Sequence, residues 1–413
     1  MRYYFQGKRI IITPRGKQMI SQANLTKFTV KLFYFIAVAY TVINLGGPFY
    51  GIPSALFLAL FTVTVSILFF KTFSISLGKK TIFALVCFMP LILLNSLMSI
   101  EVFNSVVYWF LWLMFIIGLL KVIRNIDQEH LEFILKHIPY ILLLASVTLY
   151  VLLFPYMKYS LPTKNSLGLF AGGTLIAAMS IKESKYKWPS VLISLIILIE
   201  SDSRSSLVYS VGITLMYIMA SLRKKKLPIF MFGAIIFFIS FGFLYDWFEQ
   251  RMLEKEPYAT NLQEAVTAAQ NERTDLLEMG WELFKERPLI GFGLKSKYYE
   301  GRIAVGNGPG IHVHNGYLST LIETGILISA FVLLYVLSMF RKIIRALLFM
   351  PKRLDKVWIF FLLFGLARAY GENYLVFNIG NIFSILFLFL GVTLLFSKKT
   401  SLLLKARPLQ FSP

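Results

Sequence analysis

Two of the four histidines, His312 and His314, stand two residues apart in front of an apolar segment. An imidazole has an ordinary pKa of about 6.5, so His314 could act as a general base at neutral pH. Asn315 follows and could also be the N-cap of the next helix. A His-x-His zinc site needs a third protein ligand, and the only cysteine, Cys87, lies in another apolar segment. Catalytic, zinc-binding and structural roles all stay open at this point.

Three arginines, Arg204, Arg273 and Arg368, are candidates for binding a diphosphate. A guanidinium fork matches phosphate oxygens better than the point charge of lysine does. Ion pairing is the alternative, for instance between Arg368 and Glu372 or between Arg204 and Asp202. Ion pairing is a reasonable explanation for any single arginine. It is a weaker explanation for three arginines that are predicted on the same side of the membrane.

Several familiar nucleotide motifs are absent from the sequence. It contains neither the Gly-x-x-x-x-Gly-Lys-Ser/Thr phosphate loop nor Gly-x-Gly-x-x-Gly at a strand-to-helix turn. No two aspartates stand two residues apart, as they do where a metal holds a nucleotide sugar. ATP-driven transport and dinucleotide chemistry are therefore disfavoured, and any glycosyl transfer would need another activated donor.

Composition assigns these residues to a membrane protein. Of the 413 residues, 57% are hydrophobic and 15% are charged, and the mean hydropathy is +0.68. A soluble fold would need far more charged surface. Segments of about 17–25 apolar residues can cross a bilayer as helices. We predict an all-α polytopic protein with about twelve such spans, near residues 30–46, 52–70, 81–98, 105–122, 138–155, 166–181, 188–200, 205–222, 227–245, 317–340, 357–375 and 380–396.

The distribution of basic residues predicts the topology. With the N-terminus inside, 29 of the 42 Lys and Arg residues fall in cytoplasmic segments and 11 fall outside, as the positive-inside rule expects. This accounts for the net charge of +21 without nucleic acid, and the cytoplasmic clusters should attract anionic lipid. The predicted regions are a basic cytoplasmic N-terminus at 1–27, spans one to nine within 28–245, an external loop at 246–316, spans ten to twelve within 317–397, and a cytoplasmic tail at 398–413. No removable signal peptide is expected.

The long external loop is predicted to be helical. Thr260 and Gln263 read as a capping box, and a second helix is expected to end before Pro288, where proline cannot extend a running helix. Four residues of that second helix fall on one stripe: Arg273, Leu277, Trp281 and Phe284.

Ionisable residues also fall within or beside the spans. Arg368 lies about 18 Å of helix from Lys356, with Glu372 predicted one turn further along the same face. Span ten contains Glu323. Such groups are costly in a bilayer unless they are paired or face water, so each is a functional candidate.

Four separate fragments of the sequence carry a recognisable pattern. They are Arg273 with Trp281 and Glu286-Arg-Pro-Leu-Ile-Gly-Phe-Gly293, His314-Asn315-Gly-Tyr-Leu with Glu323-Thr-Gly325, Asn165-Ser-Leu-Gly168, and Ser201-Asp-Ser-Arg204. Together they resemble the O-antigen ligase and surface-polysaccharide polymerase superfamily. The ligase pattern of His, a polar residue, nine residues and Gly fits His314, Asn315 and Gly325. Ile328 replaces the small or hydroxylated residue that often follows three positions later.

The resemblance implies a glycosyltransferase C-like membrane enzyme that acts on undecaprenyl-diphosphate-linked glycans at the outer face of the bacterial inner membrane. It implies His314 as the base toward the acceptor hydroxyl, Arg204 and Arg273 as diphosphate ligands, and no metal or other cofactor. Arg368 joins the diphosphate ligands through its depth and charge alone. Asn315, Glu323, Glu372, His312 and Trp281 are supporting candidates. The expected partners are the lipid-linked glycan donor, a glycan acceptor, membrane lipid, a chain-length regulator and a flippase.

Three activities compete at this stage. A polymerase would join lipid-linked repeat units and is favoured, whereas a ligase would move finished polymer to lipid A core or another acceptor. A lipid-linked oligosaccharide flippase or other secondary transporter would be expected to show inverted repeats and polar sites near the midplane. Here the unusual residues concentrate on one side and in one loop.

The topology can be tested by cysteine labelling from outside intact cells, in a Cys87→Ser background. We expect Gln270→Cys in the external loop to react with a membrane-impermeant maleimide and Lys225→Cys in a basic cytoplasmic segment to stay protected. Labelling of position 225 but not of position 270 would invert the topology and place the loop in the cytoplasm.

Overall fold

A computed structural model describes most of the predicted spans and part of the loop. The described residues are 2–5, 8–11, 26–35, 37, 79–125, 128–153, 161–201, 203–221, 262–294, 313, 315–349, 356–370 and 382–396. Residues 26–35 are helical. The other elements are β1 (Arg2–Phe5), β2 (Lys8–Ile11), α1 (Lys79–Leu97), α2 (Val102–Asn125), α3 (Gln128–Leu153), α4 (Leu161–Ala178), α5 (Ser184–Glu200), α6 (Arg204–Ser221), α7 (Leu262–Glu286), α8 (Gly316–Phe349), α9 (Lys356–Ala369) and α10 (Ile382–Phe396).

The N-terminal segment corrects the all-α prediction. Strands β1 and β2 form an antiparallel pair in which Phe5 lies opposite Lys8 and Tyr3 lies opposite Ile10. Aromatic and β-branched side chains favour a pleated strand over a helix. A prediction based on long apolar segments does not detect a hairpin whose strands have four residues each.

The length and the apolar composition of the helices support a helical membrane protein. Among the described residues, three helical stretches are long and apolar enough to cross a bilayer: Val102–Leu120, Glu129–Val151 and Gly316–Leu347. Shorter apolar helices include Asn165–Ala178 and Ser205–Ala220. The predicted spans 52–70 and 227–245 lie outside the described residues, so the number twelve and the topology stay predictions.

Helix α4 lies at the centre of the bundle, where it packs on α3, α5, α6 and α9. The close approach of α6 requires glycine at one position, because a Cβ on Gly168 would collide with the side chains of Ser203 and Ser206. Small residues let helix backbones approach closely where no hydrophobic effect drives association within lipid. The Asn165-Ser-Leu-Gly168 and Ser201-to-Arg204 segments, far apart in sequence, are therefore direct neighbours.

Helix α8 is broken at Gly325, a feature that the predicted uninterrupted span ten did not include. Gly325 has φ +64° and ψ 177°, and the chain resumes as a helix on either side. Such a break frees carbonyl groups before it and amide groups after it, and a bilayer core has no water to satisfy them. Glycine is needed here because its φ is positive and because a Cβ would collide with the backbone of Leu289.

The segment after α7 supplies the missing hydrogen-bond partners. Phe292 N donates to Ile322 O at 2.9 Å and Gly293 N to Glu323 O at 2.9 Å. In return, Ile326 N donates to Pro288 O at 2.8 Å. We call residues 288–293 the clamp, because they bond to α8 on both sides of its break.

The end of α1, the turn that follows it and the start of α2, together called the α1–α2 turn, also bond to the clamp and to the residue after it. Asn95 Nδ2 donates to Ile290 O and, at 3.0 Å, to Glu323 O. Ser99 Oγ donates to Phe292 O at 2.9 Å, and Ser105 Oγ donates to Leu294 O at 2.9 Å. The break, the clamp and this turn thus form one hydrogen-bonded unit.

Two helix boundaries differ from the predictions. Residues 262–286 form one continuous helix rather than two, and the buried face of α7 carries Leu276, Gly280 and Leu283 instead of the predicted stripe. Helix α9 ends at Ala369 rather than at 375. Tyr370 N donates to Ala367 O at 3.2 Å, a tightened last turn, and Gly371 follows in the sequence, as is common after helix ends. Glu372 lies outside the described residues.

Gly325→Ala should destabilise the protein strongly. Forcing a side chain into the left-handed region costs about 1–3 kcal/mol, and the collision with Leu289 adds to this. The matched control is Gly118→Ala in α2, where an added Cβ meets nothing within 4 Å and alanine should be neutral or slightly stabilising. Thermal unfolding of the two purified variants in one detergent measures the difference, and equal midpoints would contradict the account of the break.

Candidate functional site

The N-terminus of α6 and the C-terminus of α9 meet at a buried arginine. Arg368, in the last turn of α9, is 0% exposed, and its guanidinium Nη1 donates to Ser205 Oγ. Ser205 follows Arg204, the first residue of α6. The structure therefore brings the depth-based candidate Arg368 beside the Ser201-to-Arg204 segment.

Serines shape the start of α6. Ser203 Oγ donates to Ser206 Oγ at 2.8 Å, and Ser203 N donates to Ser201 Oγ at 3.3 Å. All three serines are buried. The N-terminus of a helix carries a partial positive charge and unbonded amide groups, which favour an anion. This end of α6 is thus suited to a phosphate oxygen, with Arg368 at its side.

The first turn of α8 lies beside the same end of α9. Asn315 Oδ1 accepts hydrogen bonds from Tyr317 N at 3.0 Å and from Leu318 N at 3.1 Å, so Asn315 is the N-cap of α8. Tyr317 Oη donates to Leu366 O at 3.0 Å, two residues before Arg368. His314 directly precedes this cap in the sequence.

Helix α7 packs on α8 through its buried face. Leu276 and Leu283 form a small core with Val313, Leu318 and Ile322. A Cβ on Gly280 would lie 3.0 Å from Leu318 and from Val313, which shows how closely the helices approach. This packing holds Val313 and Leu318, which precede and follow His314 in the sequence.

A groove of about 740 Å³ runs along α7 beside its buried face, and Leu283 and Leu318 of the small core are among its lining residues. Trp281 is 47% exposed there, and its ring centroid lies 5.1 Å from that of Phe284. Glu278 and Glu282 line the same groove, and Leu318 of α8 closes one side of it. Glu282 also pairs with Lys285 at 2.6 Å, on the solvent-exposed surface.

Glu323 lies within α8, next to the break in that helix. Its residue is buried, and its backbone carbonyl is an acceptor for both Gly293 N and Asn95 Nδ2. The resemblance to Glu323-Thr-Gly325 therefore marks the site of the helix break. A role for the carboxyl group in chemistry stays a prediction.

Other predicted site residues cannot be positioned. His312, His314 and Glu372 lie outside the described residues, and for Arg204 and Arg273 only the helical backbone is described. Within the part of the chain that the structure describes, no three His, Cys, Asp or Glu side chains form a group that could hold a metal ion.

Comparison with known proteins adds the family. Residues 189–335 match the family model described as O-antigen ligase. This part of the chain is similar to the O-antigen ligase family. The match runs from α5 to the first half of α8 and includes the start of α6, all of α7 and the clamp. No curated protein and no solved structure matches the chain significantly.

The match supports a membrane enzyme of the O-antigen ligase and polymerase type in general. It confirms the resemblance drawn from the sequence fragments.

Sequence reasoning missed Ser205, Tyr317 and Asn95. Asn95 did leave a signal, since it is an amide side chain near the end of an apolar segment, where a polar group needs a partner.

Asn315→Ala should weaken the start of α8, because loss of an N-cap costs about 0.5–2 kcal/mol. Asn315→Asp keeps an oxygen for the same two amides and should retain wild-type stability. Thermal unfolding of both variants, measured beside glycan transfer, tests this. If Asn315→Asp were as unstable as Asn315→Ala, the side chain would have a role other than capping.

Proposed function

We propose that this protein is a polymerase of undecaprenyl-diphosphate-linked oligosaccharide repeat units that builds a surface polysaccharide such as O-antigen, capsule or exopolysaccharide. It acts in the bacterial inner membrane, with its active site toward the periplasm or the exterior. The O-antigen ligase family match supports the general class. The observation that carries the proposal is the meeting of Arg368, the α6 N-terminus and the first turn of α8.

The diphosphate of the donor binds where α6 begins. Arg368 and the α6 amides offer fixed donors in a buried setting, where hydrogen bonds to charged oxygen are strong. Arg204 is the first residue of that helix, and Arg273 lies on α7, which packs on the start of α8. These groups stabilise the negative charge that grows on the leaving diphosphate as the sugar C1–O bond breaks.

His314 supplies the base. It takes the proton from an acceptor hydroxyl as the hydroxyl oxygen attacks C1 of the donor sugar. Undecaprenyl diphosphate leaves from the opposite face, so one displacement inverts the anomeric configuration. The reaction draws its free energy from cleavage of the bond between the sugar and the diphosphate and needs no ATP.

Ligation is the second candidate, and the similarity to the O-antigen ligase family favours it. The same donor site would serve, with lipid A core or another acceptor in place of a second repeat unit. Ile328, at the position that differs from the ligase pattern, is buried in the helix-bundle core. A polar replacement there would be costly in this chain, so the departure from the ligase pattern is consistent with the local packing.

Purified protein incubated with lipid-linked repeat units and no other acceptor tests the proposal. A polymerase makes a ladder of products, whereas a ligase makes none until lipid A core is added. His314→Ala should lower the rate about 10²–10⁴-fold, the usual contribution of a general base, and His312→Ala should change it much less. Wild-type product from His314→Ala, or activity lost with EDTA and regained with a divalent ion, would refute the mechanism.

The same assay examines the arginines. Arg204→Ala and Arg273→Ala should each weaken donor use strongly, and Lys at either position should restore little, because an ammonium lacks the two-pronged geometry. Full activity in both alanine variants, each shown to fold, would move the diphosphate elsewhere.

A further inference from the structure

The groove along α7 combines an exposed aromatic ring with carboxylates. Its volume of about 740 Å³ falls within the usual range for small-molecule sites. Trp281, Leu277 and Leu318 give it an apolar side, and Glu278, Glu282 and Glu286 stand along it. An exposed tryptophan in a groove is unusual for a helix that already buries its other face against α8.

The charge pattern of this face does not serve the helix itself. Glu278, Glu282 and Glu286 follow one another at intervals of four residues, and like charges at that spacing destabilise a helix. Glu282 pairs with Lys285 on the exposed surface. The chain as a whole has a net charge of +21, so a carboxylate-lined groove contrasts with its general charge.

This chemistry selects among the parts of a lipid-linked glycan. Carboxylates repel a diphosphate, which the cationic end of α6 attracts. They accept hydrogen bonds from sugar hydroxyls, while the C–H face of a pyranose ring can lie flat on an indole ring. The groove is therefore complementary to uncharged sugar rings and unsuited to the anionic part of the substrate.

We propose that the groove lined by Trp281, Glu278 and Glu282 binds uncharged sugar units of the glycan substrate. Leu318 connects it to the first turn of α8, four residues after His314, so a glycan held there leads toward the predicted base. The inference rests on the proposed function, since it names where that function holds its glycan. It assigns Trp281 a direct contact with substrate.

Binding of the free oligosaccharide tests this proposal without catalysis. The probe is the uncharged repeat-unit oligosaccharide that mild acid releases from the host cell's lipid-linked glycan, titrated into full-length protein in nanodiscs by calorimetry. We expect Trp281→Ala to weaken binding by about tenfold or more and Trp281→Phe to retain most of it. Glu282→Gln should weaken binding less, because an amide oxygen still accepts one hydrogen bond.

Trp188→Ala is the matched control, because Trp188 is 59% exposed on α5 and lies outside the groove. It should bind the oligosaccharide as the wild type does. No binding to wild-type protein, equal binding by Trp281→Ala, or equal losses in Trp188→Ala and Trp281→Ala would each overturn the proposal. Each variant's thermal unfolding is compared with that of the wild type, so that a loss of fold is recognised.

The failures of the two proposals are separable. A product ladder with no oligosaccharide binding would overturn the groove and leave the polymerase. Oligosaccharide binding that depends on Trp281, with neither ladder nor ligated product, would overturn the transferase and support the groove. Competition of the bound oligosaccharide by intact lipid-linked repeat units supports the groove as the site of their glycan, and simultaneous binding of both overturns it.

Discussion

The need to satisfy backbone hydrogen bonds at the break in α8 governs the arrangement of the site. Within apolar surroundings, each freed amide or carbonyl costs several kcal/mol, about as much as a whole side chain contributes by packing. The clamp removes this cost by bonding on both sides of Gly325. Because the clamp continues directly from α7, it also fixes where α7 ends, and the buried face of α7 then fixes Val313 and Leu318 on either side of the His314–Asn315 pair. A break in one helix thereby positions the loop helix against the start of that same helix.

The sequence pattern of this region follows from the same constraint. Asn315 caps α8, and Gly325 interrupts it. The interval between them is the length of the first half-helix, so the His-Asn-x9-Gly spacing measures the distance from cap to break. The pattern Gly291-Phe-Gly293 belongs to the clamp. Both of its glycines have positive φ; Gly291 lies against α8 and Gly293 lies against the α1–α2 turn. Motif fragments that look independent in sequence are the two sides of one contact.

Much of the helical framework was predictable, because long apolar segments have few alternatives to helices in a membrane. The predicted start of α8 at 317 and the polar gap between α5 and α6 lie close to the observed boundaries. The break at Gly325 was not predictable from hydropathy. A hydropathy average over a span hardly changes with one glycine, and it contains no information about the segment that bonds to the break. The contact between Arg368 and Ser205 joins residues 163 positions apart, and no local pattern encodes such a pairing. The single helix at 262–286 was missed because its polar surface hides the periodicity of Leu276 and Leu283.

The charges at the meeting of α6, α8 and α9 explain how a buried arginine can be kept there. The C-terminus of α9 carries a partial negative charge, and Arg368 in its last turn complements it. The start of α6 and the first turn of α8 add two partial positive charges nearby, each equivalent to about half an elementary charge. The end of α9 offsets part of the positive charge that gathers here. Positive charge at these helix ends favours a bound anion. This arrangement supports the proposed diphosphate site.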